Sequence, residues 1–144
     1  MLIIPTLERR YILIALFYGA ILLGWLTPED NTVLVVSVLG AGLSLLMVNL
    51  AIRRWFGGYP LPKRYWLPSA ILVGVGVGFG AVWGTVGLMI FKNAWHSHAY
   101  PDFASIVIVG MFRRLIPWSV AGGFLGAAVG LWQLGLIESR RNGQ

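Results

Sequence analysis

The chain has 144 residues, of which 58% are hydrophobic and only 11% charged, against roughly 25% charged in an ordinary soluble domain. So few charges cannot cover a globular surface, which argues against a soluble fold and assigns much of the exterior to lipid. The absence of cysteine excludes disulfide staples and thiolate metal sites, and the net charge of +6 follows a membrane-orientation pattern, set out below, rather than a nucleic-acid-binding one.

In chain order, the first apolar run is Tyr11–Leu26, 16 residues long. A helix needs roughly 20 apolar residues to cross a bilayer core, so this span is short and recruits its flanks. Arg9 and Arg10 before an apolar run resemble the start of a secretory signal. The run ends in Gly24-Trp25-Leu26-Thr27-Pro28, however, with no small-x-small cleavage site, so it is read as a retained span. The second and third runs, Val33–Ile52 and Ser69–Phe91, are long enough to cross. The loop between them, RRWFGGYPLPKRYWLP, is turn-rich and basic.

Residues 92–116, KNAWHSHAYPDFASIVIVGMFRRLI, are the least regular. The apolar part, Phe103–Phe112, has 10 residues and is too short to span. Ser105–Phe112 is read as an interfacial or re-entrant helix, within an interfacial segment of about 103–114, with Asp102 placed to cap its start. The last span is Leu115–Ile137, with a bend expected at Pro117. The expected fold is all-α: a single transmembrane domain, residues 1–144, forming a bundle of four transmembrane helices with a short interfacial or re-entrant helix before the last span.

Basic residues collect in the segments expected on one side of such a bundle. Arg9, Arg10, Arg53, Arg54, Lys63, Arg64, Arg140 and Arg141 make eight there, against three, Lys92, Arg113 and Arg114, on the other. Short basic loops stay cytoplasmic, which puts both termini on the cytoplasmic side of a bacterial-type inner (plasma) membrane. Trp25, Trp55, Tyr65, Trp66, Trp95, Tyr100 and Trp118 fall near span ends, where ring faces sit in lipid and polar tips reach water.

Gly76, Gly80 and Gly84 form a G-x-x-x-G-x-x-x-G series in the third span, and Gly122, Gly126 and Gly130 form another in the fourth. Residues four apart share a helix face, and small-x-x-x-small faces are where helices approach closely in lipid. The two series are therefore read as packing faces, used on each other within one chain or between copies in an oligomer. Gly74, Gly78 and Gly87 thin the rest of the third span, and Gly40, Gly42 and Ser44 offer it a second partner, so it is read as the central helix. Gly76-x-Gly78-x-x-Ala81 matches a loose dinucleotide fingerprint, but no strand precedes it and it lies inside a continuous apolar run.

Little chemistry is visible. No Asp, Glu, Lys or His lies inside the spans as drawn, which argues against a proton-coupled pump. Asn49 and Gln133 are read as helix-packing or interface groups. His96, His98 and Asp102 are the one constellation with metal-ligand character, but His-x-His is short and lacks an obvious fourth ligand. It is read as interfacial, with no metal and no cofactor. Arg53, Arg54, Arg113 and Arg114 are candidates for lipid-phosphate contacts, with snorkelling to the interface the plainer reading. No G-x-S-x-G, His-Glu-x-x-His or paired acidic motif occurs.

The sequence thus points to a small non-catalytic integral membrane protein, an accessory or scaffold subunit or an assembly factor of a larger membrane complex. Its expected partners are the lipid bilayer and either a membrane protein or further copies of itself, not nucleic acid. The alternative is a small oligomeric channel, flippase or exporter packed through its glycine faces. An enzyme acting at the outer interface through His96, His98 and the arginines ranks third.

Overall fold

A computed structural model describes residues 2–28, 31–96 and 100–142. The described chain is all-helical apart from two short paired strands. Its elements are β1 (Leu2–Ile3), α1 (Arg9–Leu26), α2 (Val33–Phe56), β2 (Pro60–Leu61), α3 (Lys63–His96), α4 (Ser105–Met111), a 3-10 turn (Phe112–Arg114) and α5 (Leu115–Asn142). Four helical segments are long and apolar enough to cross a membrane: Arg9–Leu26, Val33–Phe56, Lys63–His96 and Ser105–Leu136.

The helices outrun the apolar spans drawn from sequence. α2 continues through Arg53 and Arg54 to Phe56, and α3 begins at Lys63 and ends at His96. Hydropathy stops at the first charges, whereas backbone hydrogen bonding does not, and Lys and Arg are good helix formers. The 53–68 loop accordingly shrinks to a connector of residues 57–62. Gly58 turns it with φ +87°, a conformation that side chains rarely adopt. The chain start ties down this connector. β1 pairs antiparallel with β2, Leu2 opposite Leu61 and Ile3 opposite Pro60. The Ile4 N–H donates to the Tyr59 carbonyl at 3.1 Å, and the Gly58 N–H to the Ile4 carbonyl at 2.8 Å.

Two local expectations need correction. The helix from Ser105 starts at the N-cap residue Ala104 with no side-chain cap, because Asp102 is committed to His96 instead. The irregularity in the fourth segment is the 3-10 turn at Phe112–Arg114, upstream of Pro117. A proline removes the N–H that would bond four residues back and crowds that carbonyl. For Pro117 that carbonyl is Arg113, inside the tightened turn. α4 therefore leads directly through the turn into α5. It packs Met111 into the core against α3.

α3 is the central helix, packed on α5 along one side and α2 along another. A methyl group added at Gly74 would overlap the carbonyl oxygen of Gly122, one at Gly78 that of Trp118, and one at Gly126 that of Ala70. Here two helix backbones touch without intervening side chains. On the other side, Gly84 faces the Gly40 carbonyl, Gly40 faces Thr85, and the Ser44 hydroxyl donates to the Val77 carbonyl at 2.8 Å.

The expected glycine pairing is thereby reassigned. Gly80 and Gly84 face α2, Gly80 against Ser44, and Gly76 meets open space. It is Gly74 and Gly78 that oppose Gly122 and Gly126, while Gly130 lies over Ala70 and Leu67. The reason is angular: residues two apart lie about 200° apart on a helix, so alternating glycines make two series on opposite faces. Spacing alone does not tell which series meets α5.

The side-chain core collects at one end of the molecule, where Trp25, Leu26, Val36, Val82, Val86, Leu88, Met89, Phe103 and Met111 converge. α1 joins it by its last turn, burying only Trp25 and Leu26. Midway along α1, the Tyr18 hydroxyl donates to the Leu39 carbonyl of α2 at 2.5 Å.

Candidate functional site

The final turns of α3 carry a group of interacting polar side chains. The buried face of this helix runs Val82, Thr85, Val86, Met89 and then Lys92. These three- and four-residue steps continue one stripe, so the position after Met89 points inward whatever occupies it. Lys92 is fully buried. Its ammonium lies 4.1 Å from the centroid of the Trp25 ring and donates to the Trp25 carbonyl at 3.4 Å. The ring face supplies negative potential to the cation, and the carbonyl satisfies one of its N–H groups. Its place near the α3 C-terminus also sets a positive charge at the negative end of the helix dipole. Lys92 was expected in an outer loop; the structure makes it a buried part of the core.

One residue on, the Asn93 side chain reads the backbone of Phe103 in both directions. Its amide donates to the Phe103 carbonyl at 2.8 Å, and its oxygen accepts from the Phe103 N–H at 2.9 Å. This holds the segment before α4 against α3 and inserts the Phe103 ring, only 2% exposed, into the core. His96, one turn beyond Lys92, places Nδ1 2.5 Å from Asp102 Oδ2. Both side chains are largely enclosed. Lys92, Asn93 and His96 thus fasten the α1 end and the segment around Asp102 and Phe103 to a single helix end.

The cluster has limited ligand capacity. His96 and Asp102 satisfy each other, and among the described residues no third His, Cys, Asp or Glu gathers with them to hold a metal. His98 lies outside the described residues. The combined variant His96→Ala and His98→Ala is expected to leave the metal content of the purified protein unchanged by elemental mass spectrometry. Stoichiometric zinc or iron that disappears in this variant would instead make the cluster a metal centre.

The other candidate residues are dispersed. Arg53 is engaged within the protein: Nε donates to Asn49 Oδ1 at 2.6 Å, Nη1 to the Thr6 carbonyl at 3.4 Å, and the guanidinium stacks 3.9 Å from the Tyr11 ring centroid. Asn49 thereby serves its own helix rather than a neighbour. Arg54 is exposed at the end of α2.

Arg113 and Arg114 do not mark the end of a span. Phe112 packs edge-on to Trp83 with 5.2 Å between centroids, and Gly84 abuts Gly40. The 3-10 turn therefore sits level with Gly40 and Ala41, roughly 12 Å along α2 from its first residue, Val33, at 1.5 Å per residue. Arginines commonly terminate spans, so their position in the sequence alone suggests a span end at Arg113 and Arg114.

Compared with known protein families, curated protein sequences and solved structures, the chain shows no match.

Proposed function

We propose that this chain is a four-span integral membrane protein with both termini on the cytoplasmic side of a bacterial-type plasma membrane. It acts as a non-catalytic accessory or scaffold subunit, or an assembly factor, of a larger membrane complex. The observation that carries the reading is α1. Its 18 residues bury only Trp25 and Leu26, at one end. Phe17, Leu13, Leu16 and Leu23 stay exposed.

Small residues in this helix are also left open. Ala20 and Gly24 form a small-x-x-x-small pair, and a methyl group on Gly24 would meet nothing. Tyr18 faces α2, and Ala20 and Gly24 lie roughly 200–240° around the helix from it. In lipid, apolar exposure costs little and helices associate where backbones come close. Gly40, Gly74, Gly78, Gly80, Gly84, Gly122 and Gly126 are used between α2, α3 and α5, whereas Gly24 of α1 meets nothing and is left with Ala20 for a neighbour. The polar cluster at the end of α3 serves the same reading, because its groups are spent on fastening helices.

Two measurements test this. Mild extraction followed by native mass measurement is expected to recover a hetero-complex, lost when Ala20→Leu and Gly24→Leu are combined while the chain itself stays folded. A closed homo-oligomer would favour the channel, flippase or exporter reading instead. Topology is tested separately by single cysteines, which the cysteine-free chain accepts without background. Tyr59→Cys and Ser139→Cys are expected to label from the cytoplasm alone, and Asn31→Cys from outside alone. Labelling of positions 139 and 31 from the same side would overturn the four-span arrangement.

A further inference from the structure

A cleft of about 350 Å3 opens between α2 and the start of α5, lined by Val33, Leu34, Ser37, Val38, Ala41, Arg114 and Trp118. Its volume falls in the range of small-molecule sites, roughly 300–1,000 Å3. The α2 residues recur at steps of three and four, so they form one wall about 12 Å long. All but Ser37 are apolar. Two polar groups break that surface. Arg114 has no ion-pair partner among the described residues. Ser37 is only 4% exposed, and its hydroxyl has no hydrogen-bond partner.

Each of these groups needs an explanation at this depth. Serines in apolar helices ordinarily bond their own backbone, and a buried hydroxyl without a partner costs about 1–3 kcal/mol. An arginine level with Ala41 is costly in lipid unless it reaches a counter-charge, and such residues mark ligand or ion pathways. The guanidinium leans toward the helix N-terminus, as helical side chains do, and so along the cleft toward Val33. At that end α2 presents its first turn, which holds no acidic residue and receives no side-chain cap from Thr32, so the helix N-terminus adds positive potential.

We infer that the cleft is a binding site for an anionic phospholipid of the surrounding leaflet. The phosphodiester pairs with the Arg114 guanidinium near the first turn of α2, and the Ser37 hydroxyl donates to an ester carbonyl. An acyl chain lies along Val38, Ala41 and the Trp118 ring. A free phosphate ion fits less well, because it leaves the apolar wall and Ser37 unused. Arg113, the adjacent residue of the turn, does not line the cleft and takes no part. The inference rests on the membrane reading above but not on the subunit assignment.

The test counts phospholipids retained per chain by native mass spectrometry, after exchange into mild detergent supplemented with phosphatidylglycerol. One tightly held lipid is expected for the unaltered chain. At least tenfold weaker retention is expected for Arg114→Gln and for Ser37→Leu, which fills the cleft, with Arg114→Lys restoring part of it. Arg113→Gln is expected to behave as the unaltered chain, and circular dichroism checks that each variant folds. Equal retention in Arg114→Gln, or equal loss in Arg113→Gln, would overturn the site. Displacement by millimolar inorganic phosphate would overturn it in favour of a free-anion site. Failure of the membrane reading shows separately: Leu45→Cys, on the exposed part of α2, would then react with a membrane-impermeant thiol reagent in intact vesicles.

Discussion

Gly74→Leu is expected to destabilise the fold by at least about 1–3 kcal/mol, the usual cost of overpacking a filled core, while Gly76→Leu stays within about 0.5 kcal/mol of the unaltered protein. The two positions share a helix and a composition and differ only in what they face. A first side-chain carbon at Gly74 already overlaps the carbonyl of Gly122, whereas at Gly76 it meets nothing. Backbone cannot rotate aside as a side chain can, so α3 and α5 must separate. Separation removes the contact along the whole glycine seam, since Gly78, Gly122 and Gly126 depend on the same spacing. Gly80→Leu is an intermediate case. It displaces the Ser44 hydroxyl from the Val77 carbonyl and loosens α2 instead of α5. Reversible unfolding in detergent, followed by circular dichroism, reads all three. Equal stability of Gly74→Leu and Gly76→Leu would refute the seam as described.

The four long apolar helices were legible in the sequence because continuous hydrophobicity needs no partner to be recognised. The choice of α3 as the central helix was legible too, from small residues distributed around much of its circumference. What the sequence left open was rotation and depth. Gly76, Gly80 and Gly84 satisfy the four-residue rule as well as Gly74 and Gly78 do, and only the rotation of α3 decides which set meets α5. Depth failed similarly for Arg113 and Arg114. They were placed by the habit of charges to end spans, yet Phe112 against Trp83 puts them well inside the bundle's length.

The end of α3 shows a third kind of loss. Lys92, Asn93 and His96 looked like the first residues of a loop, because each is polar and the apolar run stops at Phe91. Their partners, Trp25, Phe103 and Asp102, come from two other segments. One signal was available. Thr85, Met89 and Lys92 continue the inward-facing stripe of Val82 and Val86, which predicts a buried position 92 if the helix is assumed not to stop at Phe91.

Lys92→Ala is expected to be the most destabilising single change at this end of the molecule, by about 2–5 kcal/mol, as for other long buried side chains cut to alanine. It leaves a void among Trp25, Met89 and the α3 C-terminus and frees the Trp25 carbonyl. Lys92→Met separates the two contributions. The thioether side chain refills most of the space, so the remaining loss reports the charge: the contact with the Trp25 ring, worth about 2 kcal/mol when desolvated, and the hydrogen bond to its carbonyl. A double-mutant cycle of Lys92→Met with Trp25→Leu isolates the ring contact, and a coupling of about 1–2 kcal/mol is expected. The opposite picture, a lysine that swings out to water, makes three contrary demands. Lys92→Met would be neutral, the coupling with Trp25 would vanish, and Lys92→Cys would be modified readily by a water-soluble thiol reagent. If instead the cysteine is protected and the coupling present, the cation is a packed element of the core. It then fixes where α1 ends against α3, and hence which side of α1 remains open to a neighbour.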